Sequence, residues 1–198
     1  MIAENGQMAI HLPLTTGRIS AFSTHTAHPE FVYCMNQILK NVLCFNMNII
    51  NPFLYKTKAE VVSILKNDFN TIEHTVSCWK SARMTGHSYH CGECIPCLIR
   101  RIANEFNGII LDEFNRDLLS EVITNLDEND SGRRNLLELA EFVRFFETTV
   151  SEAEITEQYP ELLNECIDAK RAIEMHRRFA KQARTVFNNY KNLTSVVS

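Results

Sequence analysis

Ser77-Cys78-Trp79-Lys80, followed by Cys91-Gly92-Glu93-Cys94-Ile95-Pro96-Cys97-Leu98-Ile99-Arg100, holds four of the 7 cysteines of this 198-residue chain. Two-residue gaps let one tight turn offer several sulfurs to a single ion, and four thiolates suit zinc, which takes sulfur in tetrahedral geometry. Gly92 gives the backbone room to turn, Pro96 suits the opening turn of a helix, and Cys78 returns across a 12-residue loop. Four protein ligands leave no open position, so a zinc here is structural rather than hydrolytic. Four reduced buried cysteines, a redox pair and an iron–sulfur cluster are the other readings of the pattern, and His87 or His90 could stand in for one cysteine. Cys34, Cys44 and Cys166 lie outside the expected ligand set, Cys78, Cys91, Cys94 and Cys97. Four thiolates on a divalent ion carry a net charge of −2, which Lys80, Arg83, Arg100 and Arg101 can offset. The same arginines could instead grip phosphate or carboxylate with their planar forks of donors. Glu93 sits between two ligands, placed to hydrogen-bond behind them.

Working outward, the metal loop runs into a helix expected from about Ile95 to Asn107, with Gly108 placed to end it. Upstream, Thr57-Lys58-Ala59-Glu60 has capping-box spacing and opens a helix. Pro29 opens another, reaching about Leu43, with Phe31, Met35, Ile38, Leu39 and Val42 at helical spacing. Asn48-Ile49-Ile50 reads as a short buried strand ended by Asn51-Pro52. The first 20 residues read as a strand-like start running into a loop.

Beyond about residue 111 strand signals stop. Residues 115–125, 132–149 and 151–158 have helical spacing, and Ser151 to Glu154 repeats the capping box. Pro160 is expected to start a long final helix with a heptad seam of Leu162, Cys166, Ala169, Ile173, His176, Ala180, Ala183, Phe187 and Tyr190. That seam packs against other helices, either the acidic ones of this chain or a second copy in a homo-oligomer. His176 on the seam reads as a core or edge histidine, since no second ligand lies one turn away.

Composition agrees with a folded, helix-rich protein: 45% apolar and 22% charged residues, with only 6 glycines and 5 prolines to make turns. The net charge of −4 is unevenly spread. Residues 112–165 carry 15 anions against 4 cations, and residues 166–198 carry 7 cations against 2 anions. These are solvated helix faces, or a basic helix that pairs with the acidic segment or with an acidic partner. The N-terminus lacks a charged start followed by an apolar run, and Asn41 to Leu54 is too short and polar to span a bilayer. The expectation is a cytoplasmic protein with no membrane partner.

Three blocks then fall into one order within about 50 residues. They are Asn51-Pro52-Phe53-Leu54-Tyr55-Lys56-Thr57-Lys58-Ala59-Glu60-Val61-Val62, then Thr75-Val76-Ser77-Cys78-Trp79, then Cys91 to Arg100. Together they resemble the C-terminal part of 7-cyano-7-deazaguanine synthases, zinc-containing N-type ATP pyrophosphatases. The resemblance covers roughly residues 1–106. It implies an α/β remnant of a Rossmann-like, adenine nucleotide alpha hydrolase-like domain with a zinc loop over residues 1–110. An all-helical region follows over 111–198, making the chain mostly α overall. It also implies that Cys78, Cys91, Cys94 and Cys97 hold the family's zinc, and that Lys58 and Arg100 lie near substrate or nucleotide. The family's chemistry is ATP activation of a carboxylate, displacement by ammonia, and a second activation that turns the amide into a nitrile.

Two departures stand out. The family's ATP-gripping Ser-Gly-Gly-x-Asp-Ser loop occurs nowhere in residues 1–198, so adenylation has no platform of convergent backbone donors. Ser23-Thr24-His25-Thr26-Ala27-His28-Pro29-Glu30-Phe31 stands where the family carries its Asp-Tyr-Ser-Gly-Tyr-Pro-Asp-Cys-Arg-like substrate stretch. The chain thus resembles the back half of such a ligase, inactive alone, with ATP as cofactor only if an upstream nucleotide-loop segment or an operon partner supplies the loop. The variant blocks and helical extension are also similar to synthase-like proteins of anti-phage defence operons. The other reading of the sequence is a zinc-stabilised helical module that docks a protein or, through Lys170, Arg171, Arg177, Arg178, Lys181, Arg184 and Lys191, a nucleic acid. Few aromatics accompany these cations, so at most a non-specific electrostatic contact is expected.

Overall fold

In the computed structural model, which describes residues 1–14, 26–44, 46–83, 89–111 and 114–193, the chain is mostly helical. Its helices are α1 (Gly6–Ile10), α2 (Pro29–Asn41), α3 (Lys58–Ile64), α4 (Phe69–His74), α5 (Ile95–Phe106), α6 (Ser131–Thr148), α7 (Glu152–Gln158) and α8 (Ala169–Phe187). Two compact units share them: Met1–Thr57 with Thr149–Arg178, and Lys58–Thr148 with Phe179–Ser198. Each unit draws on both sides of residue 110. Among the described residues no strand forms; the one β-pairing is an isolated bridge between His90 and Phe114. The helical expectation therefore holds, while the α/β character expected for residues 1–110 is not expressed as a sheet. No described helix is long and apolar enough to cross a membrane.

In the first unit, asparagine side chains redirect the backbone where strands were expected. Asn5 accepts a hydrogen bond from the Met8 amide at 3.3 Å and so caps α1, making a helical turn of the strand-like start. At Ile49 the Asn36 carboxamide does what a neighbouring strand would do. It accepts from the Ile49 amide at 2.7 Å and donates to the Ile49 carbonyl at 2.9 Å. The segment forms no strand, and Ile50 is exposed rather than buried. α2 keeps its predicted start at Pro29, yet Pro29 is its only buried residue. The final helix is not continuous from Pro160. Pro160–Leu163 is a 3-10 turn. Asn164 then accepts from the Cys166 amide at 2.9 Å, and Asp168 from the Arg171 amide at 3.1 Å. Such short polar side chains offer the backbone a local alternative to the helical ladder, so α8 begins only at Ala169.

The second unit has α3 packed on α5 and α5 on α6. Ala59 and Val62 of α3, Ile72 of α4, Ala103 of α5 and Ile109 form one apolar cluster. α5 ends as predicted, with Gly108 at φ 72°. α6 follows the expected 132–149 pattern within a residue. In place of the helix expected over 115–125 there are two 3-10 turns, Leu118–Ser120 and Ile123–Asn125. The first is set by Asp117, whose carboxylate accepts from the Ser120 amide.

The α8 face is wider than a heptad seam. Ile173, His176, Ala180, Ala183 and Phe187 are buried as expected, but so are Ala172, Met175, Phe179 and Val186. A buried stripe two residues wide is what a core helix of a globular protein shows, rather than the narrow seam of a coiled coil. His176 is 2% exposed, and burial pushes its imidazole down to about 3, so it is neutral at physiological pH. It is the core histidine the sequence suggested.

Candidate metal centre

Four sulfurs come together in the second unit. The Sγ atoms of Cys78, Cys91, Cys94 and Cys97 all lie within 4.8 Å of one another. Two pairs on separate edges, Cys91–Cys97 and Cys78–Cys94, are each 3.9 Å apart. Zinc–sulfur bonds of about 2.3 Å in a regular tetrahedron put the sulfurs about 3.8 Å apart, so these edges fit zinc without rearrangement. Cys78, Cys94 and Cys97 are buried, Cys91 is partly buried, and Phe114 packs against the group. Cys34, Cys44 and Cys166 stay outside the group. His90 is buried with its ring 5.7 Å from that of Phe114, and it is not among the grouped ligands. His87 and the Arg83 side chain lie outside the described residues.

Local structure explains why these four meet. Cys94 is the residue before α5 and Cys97 lies in its first turn, so both sit where free backbone N–H groups and the helix dipole favour negative sulfur. Gly92 turns the chain between Cys91 and Cys94 at φ 82°, and a Cβ there would lie 2.0 Å from the Arg116 carbonyl oxygen. Only glycine fits this crossing. The thiols influence one another strongly. The Cys97, Cys91 and Cys78 thiols hydrogen-bond to the Cys94 sulfur and hold it well below the usual thiol range, against the opposing effect of burial. The Cys94 sulfur and burial together push Cys97 up, and burial pushes Cys91 up. One sulfur is thus poised as a thiolate, and a divalent cation would draw the protons from the others.

Behind the ligands lies a charged brace. Lys80 Nζ is 2.6 Å from Glu93 Oε1, and Arg116 Nη1 is 3.2 Å from Glu93 Oε2. Arg116 also pairs with Glu121 at 2.8 Å and Asp130 at 2.9 Å. The two cations hold the Glu93 carboxyl below its ordinary range, Lys80 contributing most. Asn135 of α6 donates to the Glu93 carbonyl at 2.7 Å. The loop between Cys91 and Cys94 is therefore clamped by Arg116 and Asn135, both well beyond the cysteines in sequence. Spacing alone could not have found them, though Arg116 does stand out as one of four cations in a segment of 15 anions.

The other expected basic residues have different surroundings. Arg100 is 2% exposed and donates to Thr75 Oγ1 at 2.5 Å and to the Ile72 carbonyl at 2.7 Å, tying the end of α4 to α5. Arg101 donates to Glu105, Asp117 and the Tyr190 hydroxyl. Lys58 is the first, partly exposed residue of α3. In the basic tail, Arg184 pairs with Glu147 of α6 at 2.6 Å, which is the basic–acidic helix pairing the charge pattern suggested. Arg177 donates to the Thr149 and Val150 carbonyls, Arg178 to the Tyr55 carbonyl, and Arg171 stacks 4.1 Å over the Tyr55 ring.

Against known proteins, the family model described as Queuosine biosynthesis protein QueC matches residues 5–108, a span that contains all four clustered cysteines. No curated protein and no solved structure gives a significant match.

Proposed function

The chain belongs to the QueC family of queuosine biosynthesis proteins, and we propose that it is the zinc-bearing back half of an ATP-dependent, amide- or nitrile-forming ligase of that family. The observation that carries this reading is that the four-sulfur group falls wholly inside the family match. Zinc, held by Cys78, Cys91, Cys94 and Cys97, would be structural, binding the start of α5 to the segment after α4 and leaving no coordination position for chemistry. Residues 1–110 would descend from the α/β nucleotide-binding domain of an N-type ATP pyrophosphatase. Lys58 would stand nearest the nucleotide or substrate. Arg100, buried against the end of α4, would act by holding α5 in place.

Residues 1–198 hold no Gly-rich phosphate loop. Adenylation needs several backbone N–H groups fixed around the phosphates, so these donors would come from a separate nucleotide-loop segment or an operon partner. Side chains such as Lys58 lose conformational freedom on being positioned and do not replace them. The acceptor would be a carboxylate, either of a deazaguanine or of a substrate adopted by a defence-operon relative.

ATP–pyrophosphate exchange tests the reading. Residues 1–198 alone are expected to give none, and mixing or fusing them with a nucleotide-loop half should restore it. Turnover by the chain alone would contradict the proposal, as would a well-folded fusion without exchange.

A further inference from the structure

α2 carries apolar side chains on two faces, and only one of them meets the rest of its unit. On the inner face Val32, Met35, Asn36 and Leu39 are partly buried, and Asn36 ties that face to Ile49. On the outer face Phe31, Cys34, Ile38 and Val42 follow one another at helical steps of three and four, and all four are exposed. Leu43 and Met47, just past the helix, are more than half exposed too. A helix that is apolar on both faces is normally covered on both. The α8 seam, the other surface suited to self-association, is spent in the core, where Ile173, His176, Ala180, Ala183 and Phe187 are buried.

Charge narrows what covers the outer face. α2 has two charges, Glu30 in its first turn and Lys40 in its last. They cancel, so the face does not select a strongly acidic or basic partner. Their placement suits a second α2. In an antiparallel pair centred at the level of Asn36, Cys34 lies beside the partner's Ile38, and Phe31 falls within a residue of the partner's Val42. The same register brings Glu30 within two residues of the partner's Lys40, about 3 Å along the axis. Two-fold symmetry makes each contact twice. A parallel pair would instead set like charges together at both ends. Asn164 donates to Glu30 at 2.8 Å and holds that carboxylate in place. The exposed apolar side chains offer roughly 500–600 Å² per copy, at the lower edge of specific interfaces and in the range of transient ones.

We propose that the outer face of α2 is a self-association surface, on which a second copy of this chain docks through its own α2, antiparallel and two-fold symmetric, to form a weak dimer. Immobilising exposed side chains offsets much of the gain, so Kd is expected at about 10–100 µM. A stability measurement near 1 µM therefore reads the monomer.

The test is sedimentation equilibrium of the full chain from about 1 µM to about 1 mM, in reducing buffer so that exposed Cys34 forms no disulfide. The parent should pass from monomer to dimer over that range and stop there. Ile38→Glu, which places two carboxylates in the apolar contact of each dimer, should weaken it by more than about tenfold while keeping the parent's circular dichroism. Lys40→Glu should weaken it by about fivefold at low salt, since it sets carboxylate against carboxylate at both ends. Glu30→Lys should do the same, and the two charge variants, mixed, should pair with each other at the parent's affinity. A chain monomeric at the top concentration, a dimer indifferent to Ile38→Glu, or charge variants that do not pair on mixing would each overturn the proposal. If Ile38→Glu does not fold, the charge swap alone decides. A monomeric chain that binds a nucleotide-loop half, and loses it with Ile38→Glu, would also overturn the proposal and give the face to that half.

Discussion

α5 and α2 begin alike and end differently. Each has a proline in its first turn, runs 12 or 13 residues and repeats apolar side chains at helical spacing. Yet α5 buries nine residues, an arginine and an asparagine among them, and α2 buries only Pro29. Along α2, Phe31, Tyr33 and Ile38 are each more than 40% exposed. Periodicity therefore marks which side chains could share a face, while burial needs something to cover that face. α5 has a sulfur cluster at its start, α3 and α6 against its sides, and a buried Arg100 that ties it to the end of α4.

The sharpest way to break this contrast is to remove the cluster. Cys97→Ser is expected to lose the metal and, with it, the order of α5, because structural zinc is worth roughly 10–16 kcal/mol in small zinc domains and a whole domain only about 5–15. Elemental analysis and circular dichroism read both effects. A variant that keeps its zinc and its helicity would make α5 as independent of the cysteines as α2 is.

Next in size is Gly92→Ala. The left-handed backbone and the Arg116 carbonyl, 2.0 Å from any Cβ, should together cost about 2–4 kcal/mol in a denaturant titration. A neutral result would mean that the clamp from beyond residue 110 does not hold the loop.

Burial also leaves a pH signature. His176 titrates near 3 in the folded chain and near 6.5 when unfolded. Between those values the unfolded state binds the extra proton, so this contribution is intact above pH 6.5 and is lost as pH falls, by up to about 1.4 kcal/mol per unit. Relative to the parent, His176→Leu should therefore gain about 2 kcal/mol between pH 6.5 and 5 in parallel unfolding curves. Superimposable pH profiles would place the imidazole in water.

The smallest effect belongs to α2. Ile38→Ser, at a site 44% exposed, should change stability by less than about 0.5 kcal/mol. A loss several times larger would show that the α2 face is covered in solution.

What could be read from the sequence was what is decided locally. Pro96 and Gly108 bound α5, Ser151 caps α7, and the two-residue gaps bring Cys91, Cys94 and Cys97 together, because each signal acts within a turn or two of itself. The misreadings share a different cause. At Asn5, Asn36, Asp117, Asn164 and Asp168 a short polar side chain captures backbone groups. Four of these bonds span two or three residues, but that of Asn36 spans 13, and no hydropathy pattern records them. The brace of Arg116 and Asn135 on Glu93 was hidden for a simpler reason, since contacts 23 and 42 residues apart are set only by the fold. The width of the α8 face was likewise invisible to a heptad count, which finds a seam and cannot say how many helices meet it.

The central claim is that these four sulfurs hold one structural zinc. X-ray absorption at the zinc edge of the purified chain addresses it directly. The account predicts one zinc per chain surrounded by four sulfur atoms at about 2.3 Å, with no oxygen or nitrogen neighbour. A chain that folds without zinc, or a zinc bound by nitrogen or oxygen in place of any of the four sulfurs, would contradict it.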